Sequence, residues 1–227
     1  MATFRGLVSS LVRTLRPRRF EGSEAYWRAR YEQGGNSGVG SYGVFAEFKA
    51  EVLNGFVAER GIATVIEFGS GDGNQLSLAT YPRYAGYDVS DAAIAACRAR
   101  FASDPTRTFA PMSAYAGETA ELALSLDVIY HLVEDAVFER YMRTLFAAAT
   151  KHVAIYASDT DEDRGDGAHV RHRTFTAWIA RELPGWKLVR HLPNRYPYKG
   201  DYKTGCFSDF YFFEPVAPAD RPPPSAG

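Results

Sequence analysis

The chain has 227 residues, of which 46% are hydrophobic and 23% charged, and its formal net charge is −1. This composition is typical of a soluble globular domain, and the nearly balanced charge argues against a general nucleic-acid-binding protein, which normally carries a basic excess. Two cysteines, Cys97 and Cys206, exclude a disulfide framework or a zinc site built on clustered thiolates. We expect a cytoplasmic protein without stable membrane insertion, because no apolar run approaches the ~20 residues that span a bilayer.

Residues 1–43 are predicted to form an N-terminal helix and a glycine-rich cap or lid. Apolar residues recur at helical spacing between Phe4 and Leu15, among arginines. Such a basic amphipathic helix caps a domain or a homodimer, which we favour, or it lies on a membrane surface or acts as a transit peptide. Residues 34–43 contain five glycines with interleaved polar groups and Tyr42, which favours a lid over a plain linker.

Residues 44–214 alternate short apolar runs with helical patterns, which is typical of βαβ units in a parallel sheet. Helices are predicted at residues 44–57, 75–80, 90–101, 134–149 and 175–183, with Ser90 as an N-cap. Strands are predicted at residues 62–68, 84–88, 108–112, 121–126, 152–157, 186–192 and 207–214.

The last two predicted strands have no helix between them and must therefore pair antiparallel. The predicted fold is α/β, a Rossmann-like sheet of seven mostly parallel strands with a C-terminal antiparallel hairpin. Residues 215–227 contain five prolines and are predicted to be a disordered tail.

A glycine-rich turn follows the first predicted strand. Residues 65–75 read Val-Ile-Glu-Phe-Gly-Ser-Gly-Asp-Gly-Asn-Gln, and the glycines let the backbone turn sharply and approach a ligand. Dinucleotide enzymes use such a turn too, but Glu67 and Asp72 would repel a pyrophosphate, whereas they suit the ammonium and sulfonium charges of S-adenosylmethionine. Asp88 ends the next strand, where a carboxylate can accept hydrogen bonds from both ribose hydroxyls.

Glu67-x-Gly69-x-Gly71-x-Gly73 and Asp88 resemble the first two motifs of the class I S-adenosylmethionine-dependent methyltransferases. The resemblance extends over residues 65–214, and it implies the fold predicted above and S-adenosylmethionine as the cofactor. In that superfamily an acidic residue after the third strand usually meets the adenine amine.

This chain departs from the family at that third motif, because it has Met112-Ser113 in place of the acid. The residues expected to bind the cofactor are Tyr42, Glu67, Gly69, Gly71, Asp72, Asn74, Gln75, Asp88, Val89, Met112, Ser113 and Leu126.

The end of the fourth strand supplies the first candidates for chemistry. Ligands of a doubly wound sheet bind beyond the carboxyl ends of its strands, which places Asp127, Tyr130 and His131 near the transferred methyl group. A hydroxyl acceptor needs a base, and histidine has a pKa near working pH. His131 is therefore the first candidate base, and a packing or cofactor-contact role is its alternative.

Residues 157–173 follow the fifth strand and combine acids with His169 and His172. They predict a loop that contacts a polar substrate, with a solvated surface loop as the alternative. Acids beside histidines also admit a divalent metal such as Mg²⁺, which is not predicted because the spacing matches no standard ligand set.

The connection inside the C-terminal hairpin is long, which favours a functional role. Tyr196, Tyr198, Asp201 and Tyr202 are compatible with an aromatic wall for a sugar ring and equally with a subunit interface.

The glycine-rich entry, residues 130–135 (YHLVED) and residues 169–173 (HVRHR) resemble small methyltransferases of polysaccharide biosynthesis. Among these are mycobacterial sugar O-methyltransferases that act on methylmannose oligosaccharides. The resemblance implies O-methylation of a saccharide hydroxyl, with His131 as base, His169 or His172 orienting or deprotonating the acceptor, and Tyr130 shaping the pocket. N-methylation of a natural-product amine and a non-catalytic binding module of the same fold remain alternatives.

Overall fold

Seven strands join in one sheet in the computed structural model, which describes residues 20–217. The strands are β1 (Thr64–Phe68), β2 (Arg83–Asp88), β3 (Arg107–Pro111), β4 (Ala120–Leu126), β5 (Ala149–Ala157), β6 (Trp186–Leu192) and β7 (Asp209–Pro215). The helices are α1 (Ser23–Glu32), α2 (Gly43–Arg60), α3 (Asp91–Arg100), α4 (Asp135–Ala147) and α5 (Phe175–Glu182).

The sheet has the strand order β3-β2-β1-β4-β5-β7-β6. Its first five strands are parallel to one another, and β7 pairs antiparallel with both β5 and β6. The predicted fold class is thereby confirmed. Because parallel strands end at the same edge, the segments after β1, β2 and β4 meet there.

Apolar side chains cover both faces of the sheet. Leu53 of α2 and Ile94 of α3 are buried on one face, and Phe138 of α4 and Phe175 of α5 are buried on the other. Burying one such side chain contributes about 1.5–3 kcal/mol. The central strands are covered on both sides, which is why they read as continuous apolar runs in the sequence.

Several predicted boundaries differ from the structure. The helix predicted at residues 75–80 is a 3₁₀ turn, Gln75–Leu78, and α2 continues to Arg60, where Gly61 ends it in a left-handed conformation. β5 begins at Ala149 because a bulge lets that residue pair with Ala120. Ser90 does cap α3, with its hydroxyl accepting a hydrogen bond from the amide of Ala93.

Helix α1 was absent from the sequence prediction. The helix predicted between Phe4 and Leu15 lies outside the described residues, as does most of the proline-rich tail. In the part of the chain that is described, no helix combines the length and apolar character needed to cross a membrane.

Candidate functional site

A cavity of about 450 Å³ opens at the carboxyl ends of β1, β2 and β4. Doubly wound sheets bind their ligands at this edge. The predicted cofactor-binding residues that line the cavity are Glu67, Gly69, Gly71, Gln75, Asp88, Val89, Met112, Ser113 and Leu126.

The turn after β1 packs too tightly for any residue but glycine at two positions. Gly69 and Gly71 have φ values of +89° and +58°, which L side chains rarely adopt. A Cβ at Gly69 would lie 2.5 Å from Cγ2 of Val128, and one at Gly71 would overlap the hydroxyl of Ser37. The two glycines therefore allow the turn to pack directly against Val128 and Ser37.

Asp88 lies at the end of β2 with only 6% of its surface exposed. Its Oδ2 accepts a hydrogen bond of 2.9 Å from the amide of Gly71, and its Oδ1 accepts one of 2.9 Å from the amide of Ser90. Burial raises the pKa of this carboxyl, and the two amides oppose that rise. Each oxygen keeps a lone pair for a further donor such as a ribose hydroxyl.

Glu67 is buried beneath the same turn, and its Oε2 accepts a hydrogen bond of 2.6 Å from the hydroxyl of Tyr84. Burial raises the pKa of Glu67 to about 7. A cation placed in the cavity would favour the ionised carboxylate and lower that pKa.

Two buried polar atoms at the cavity, the hydroxyl of Ser70 and Oε1 of Gln75, have no hydrogen-bond partner among residues 20–217. An unsatisfied buried polar group costs about 1–3 kcal/mol, so a polar ligand that bonds to them is favoured. Together with Asp88 and Glu67, these atoms fit a cofactor that carries hydroxyl and ammonium groups, as S-adenosylmethionine does.

Residues 23–42, here named the cap, form another wall of the cavity. Ser23 and Ser37 provide two of the hydrogen-bonded attachments of the cap to the body of the protein. Ser23 donates from its amide and hydroxyl to the carboxylate of Glu134, at 3.0 and 2.6 Å. Ser37 donates from its amide to Asp72 at 3.0 Å, and the amide of Asp72 donates back to the Ser37 hydroxyl at 3.0 Å.

Three predicted cofactor-binding residues connect the cap to the turn and are not among the cavity-lining residues. The Tyr42 hydroxyl donates to Asp72 Oδ2 at 2.7 Å, and the Asn74 side chain donates to the carbonyl of Ser41 at 2.8 Å. Burial alone would raise the pKa of Asp72, but the hydrogen bonds from Tyr42, Asn74 and Ser37 outweigh it and hold that pKa below its usual value.

His131 lines the cavity beside Trp27, with ring centroids 4.8 Å apart. Its Nδ1 lies 3.0 Å from the carbonyl oxygen of His169. A carbonyl can only accept, so Nδ1 carries the hydrogen and the neutral ring keeps its lone pair on Nε2. Burial lowers the pKa of His131 to about 4, below the near-neutral value expected from the sequence, so the ring is neutral at working pH but is a weaker base than a free histidine.

The other three predicted catalytic residues lie outside the cavity lining. The Tyr130 hydroxyl donates to Asp127 Oδ1 at 3.0 Å, and the His169 ring stacks on Tyr26 at 4.5 Å. His172 is buried, with Nδ1 2.6 Å from the Ser158 hydroxyl and Nε2 donating to Asp166 Oδ2 at 2.8 Å.

The bonds of His172 to Ser158 and Asp166 hold the loop between β5 and α5 in place. The same loop carries the His169 carbonyl that bonds to His131. Within residues 20–217, no group of three or more His, Cys, Asp or Glu side chains is placed to hold a metal ion.

Sequence reasoning missed several cavity residues. Lys49 of α2 lines the cavity, and its ammonium donates to Asp127 Oδ2 at 2.7 Å. A lysine within an otherwise apolar helix stripe was the available signal. The other polar and aromatic lining residues that the sequence prediction did not name as site residues are Ser23, Glu24, Trp27, Arg28, Tyr31, Ser37, Ser41, Phe68, Ser70, Tyr87, Tyr115, Arg140, Tyr141 and Thr144.

The aromatic residues of the hairpin connection do not line this cavity. Tyr196 packs edge-on against Phe45 and Phe48. Tyr198 stacks on Tyr202, whose hydroxyl donates a hydrogen bond to Asp166. The aromatic residues that do line the cavity include Trp27 and Tyr31 in the cap and Tyr115 after β3.

No family model and no curated protein match the sequence. Crystal structures do match the fold. The N-methyltransferase NodS from Bradyrhizobium japonicum WM9, in complex with S-adenosyl-L-homocysteine, is 14% identical over 87% of this chain and 100% of its own, with a TM-score of 0.66.

Magnesium protoporphyrin IX methyltransferase from Synechocystis PCC 6803, with bound S-adenosylmethionine, is 13% identical over 88% of this chain and 100% of its own, with a TM-score of 0.62. The methyltransferase domain of bacterial CtHen1 is 18% identical over 74% of this chain and 97% of its own, with a TM-score of 0.58. The chain therefore has the fold of the class I S-adenosylmethionine-dependent methyltransferases.

Proposed function

We propose that this protein is an S-adenosylmethionine-dependent methyltransferase that methylates a hydroxyl oxygen of a small saccharide. The observation that carries the proposal is the position of His131. Its neutral ring, with Nε2 free to accept a proton, lines the same cavity as Asp88, Glu67 and the unpartnered atoms of Ser70 and Gln75.

The cofactor-binding part of the proposal assigns each group a physical task. Asp88 accepts hydrogen bonds from the ribose hydroxyls, and Glu67 supplies negative charge beneath the methionine portion. Ser70 and Gln75 bond to polar atoms of the cofactor, and Met112 and Ser113 contact its adenine. When bound, S-adenosylmethionine supplies an electrophilic methyl group on a sulfonium.

His131 is proposed to remove the acceptor proton. A hydroxyl is a weak nucleophile at neutral pH, so a base that accepts its proton as the new bond forms accelerates transfer by about 10²- to 10⁴-fold. The carbonyl of His169 orients the ring, and the cap with Trp27 excludes water. Most of the remaining rate enhancement comes from holding the acceptor in line.

A saccharide is favoured by the mixture of aromatic and polar groups at the cavity. Trp27, Tyr31 and Tyr115 offer aromatic surface for the apolar side of a sugar, and the Glu24 carboxylate, which pairs with Arg28 at 2.6 Å, keeps lone pairs for a sugar hydroxyl. The short segments at residues 130–135 and 169–173 are the sequence features that favour the same acceptor class.

We expect cofactor binding to release protons near neutral pH. Glu67 has a pKa of about 7 because it is buried, and a bound ammonium or sulfonium would lower that value. Isothermal titration at pH 7 in buffers of different ionisation enthalpy measures the released fraction, about half a proton per site. The Glu67→Gln variant should release none, and equal release by both proteins would remove Glu67 as the source.

The acceptor class is tested by incubating the protein with S-adenosylmethionine carrying a ¹³C-methyl group. Methyl mannoside, a mannose oligosaccharide and glucosamine serve as acceptors, and NMR distinguishes O-methyl from N-methyl products. We expect O-methyl sugar together with S-adenosylhomocysteine. Transfer to the amine alone would identify an N-methyltransferase, and cofactor binding without transfer to any member of a broad acceptor panel would identify a binding module.

A further inference from the structure

We propose that Lys49 is a further catalytic residue of this site, whose ammonium binds the acceptor oxygen and selects an oxygen nucleophile over a cationic amine. The reaction class in this inference rests on the proposed function. The binding of an oxygen ligand by Lys49 can be tested even if the proposed function is wrong.

Lys49 occupies an unusual place for a lysine. It belongs to the buried stripe of α2 with Phe45, Phe48 and Leu53, and its side chain is 1% exposed. Burying an ammonium is costly unless its charge and its hydrogen-bond donors are used. The residue nevertheless lines the cavity, where His131 also lies.

The ammonium of Lys49 has donors to spare. Among residues 20–217, the structure gives it one hydrogen bond, the 2.7 Å bond to Asp127 Oδ2, and a position 5.2 Å from the centre of the Tyr156 ring. An ammonium has three N–H donors. Two donors therefore have no partner among these residues, at a position that lines the cavity.

Asp127 holds Lys49 in place and has little capacity left for a ligand. Its Oδ1 already accepts hydrogen bonds of 3.0 Å from the Tyr130 hydroxyl and of 3.0 Å from the Ser208 hydroxyl. It is the only non-glycine residue with a positive φ, +58°, in the described part of the chain. Such conformations persist where surrounding contacts over-determine them, often at functional sites.

This pairing decides which acceptor suits the site. An unpaired carboxylate after β4 would attract a protonated amine, but here Lys49 compensates the charge of Asp127, so the pair offers a second cation no net attraction. An oxygen acceptor instead receives a hydrogen bond from Lys49 while its own hydroxyl donates to Nε2 of His131.

The transfer step balances with these two residues. The acceptor oxygen forms a bond to the methyl carbon, the carbon–sulfur bond breaks and its electron pair stays on sulfur, and the hydroxyl proton passes to Nε2 of His131. Lys49 stays protonated throughout and stabilises the negative charge that develops on the oxygen. Removing one such fixed donor typically lowers kcat by about 10²- to 10³-fold.

The test uses the variants Lys49→Met and Lys49→Met/Asp127→Asn. The double variant leaves no unpaired carboxylate and keeps acceptors for Tyr130 and Ser208, so it protects against a loss of folding. Lys151→Met, which removes an exposed lysine paired with Glu121, is the matched control. Thermal unfolding checks each protein.

The direct readout is an NMR titration of the protein, with and without S-adenosylhomocysteine, by acetate and by methylammonium. We expect saturable binding of acetate that both Lys49 variants lose and Lys151→Met keeps, and no saturable binding of methylammonium. Acetate binding that survives Lys49→Met, or methylammonium that binds as well as acetate, would overturn the proposal.

Two further measurements distinguish a role of Lys49 in acceptor binding from a role in cofactor binding and from a failure of the proposed function. S-adenosylhomocysteine should bind the double variant within about threefold of the original affinity; a loss above about tenfold would mean that Lys49 binds the cofactor carboxylate instead. With an acceptor that the original protein methylates, the kcat of both Lys49 variants should be about 100-fold below that of the original protein. If no saccharide is methylated, the proposed function fails, while the acetate titration still decides the role of Lys49.

Discussion

Replacing Asp88 with alanine is expected to weaken the binding of S-adenosylmethionine by about 10²- to 10⁴-fold. Two hydrogen bonds from ribose hydroxyls to a buried carboxylate are lost, and a hydrogen bond to a charged group contributes about 1.5–3 kcal/mol. The same carboxylate also holds the amides of Gly71 and Ser90. Isothermal titration of the variant with S-adenosylmethionine and S-adenosylhomocysteine measures the loss.

The Asp91→Ala variant is the matched control, because Asp91 is an exposed carboxylate only three residues further along the chain. It should bind both ligands as the original protein does. Thermal unfolding of Asp88→Asn, which keeps the shape of the side chain, separates lost binding from lost folding. Undiminished affinity in a folded Asp88→Ala protein would contradict the assignment of the ribose site.

Replacing His131 with alanine is expected to lower kcat by about 10²- to 10⁴-fold, the usual contribution of a positioned base. S-adenosylhomocysteine should still bind, because the proposed ribose and ammonium partners are Asp88 and Glu67. Single-turnover transfer to the acceptor found in the labelling experiment, measured beside the affinity for S-adenosylhomocysteine, separates chemistry from binding. Near-normal turnover would leave His131 as a packing residue.

The His131 prediction also has a pH dependence with a definite sign. Burial disfavours the imidazolium and lowers the pKa to about 4, so the ring is neutral from about pH 5 upward. The single-turnover rate should therefore show no loss from His131 protonation between pH 6 and pH 9 and should fall below about pH 5. His191→Ala, which removes an exposed histidine paired with Asp209, should leave the rate and its pH profile unchanged.

The fold could be predicted because its information is local and periodic. Buried parallel strands are visible in the sequence as apolar runs. The absence of a helical pattern before residues 207–214 predicted the antiparallel hairpin. The glycine turn and Asp88 could be placed together because they end neighbouring strands. Boundary errors arose where tertiary pairing decided the outcome, as with the bulge that brings Ala149 into β5.

The acceptor half of the cavity could not be predicted in the same way. Trp27 and Tyr31 reach it because the cap attaches through Ser23 to Glu134, a contact across 111 positions in the chain. Lys49 reaches it because α2 packs on the sheet with that residue turned inward. The packing of the cap leaves no spacing pattern in the sequence, and the apolar stripe around Lys49 indicates that the residue is buried but not which cavity it lines. The tyrosine-rich hairpin is conspicuous in the sequence and lies outside the cavity lining.

The attachments of the cap also govern how fast ligands exchange. Ser23 and Ser37 hold the cap on the body of the protein together with the bonds that Tyr42 and Asn74 form, so a ligand that leaves through opening of the cap must wait until these bonds break. The free energy of that opening adds to the dissociation barrier of every occupant alike. The release of S-adenosylhomocysteine, and with it the rate of repeated turnover, would then be limited by hydrogen bonds that take no part in the chemistry.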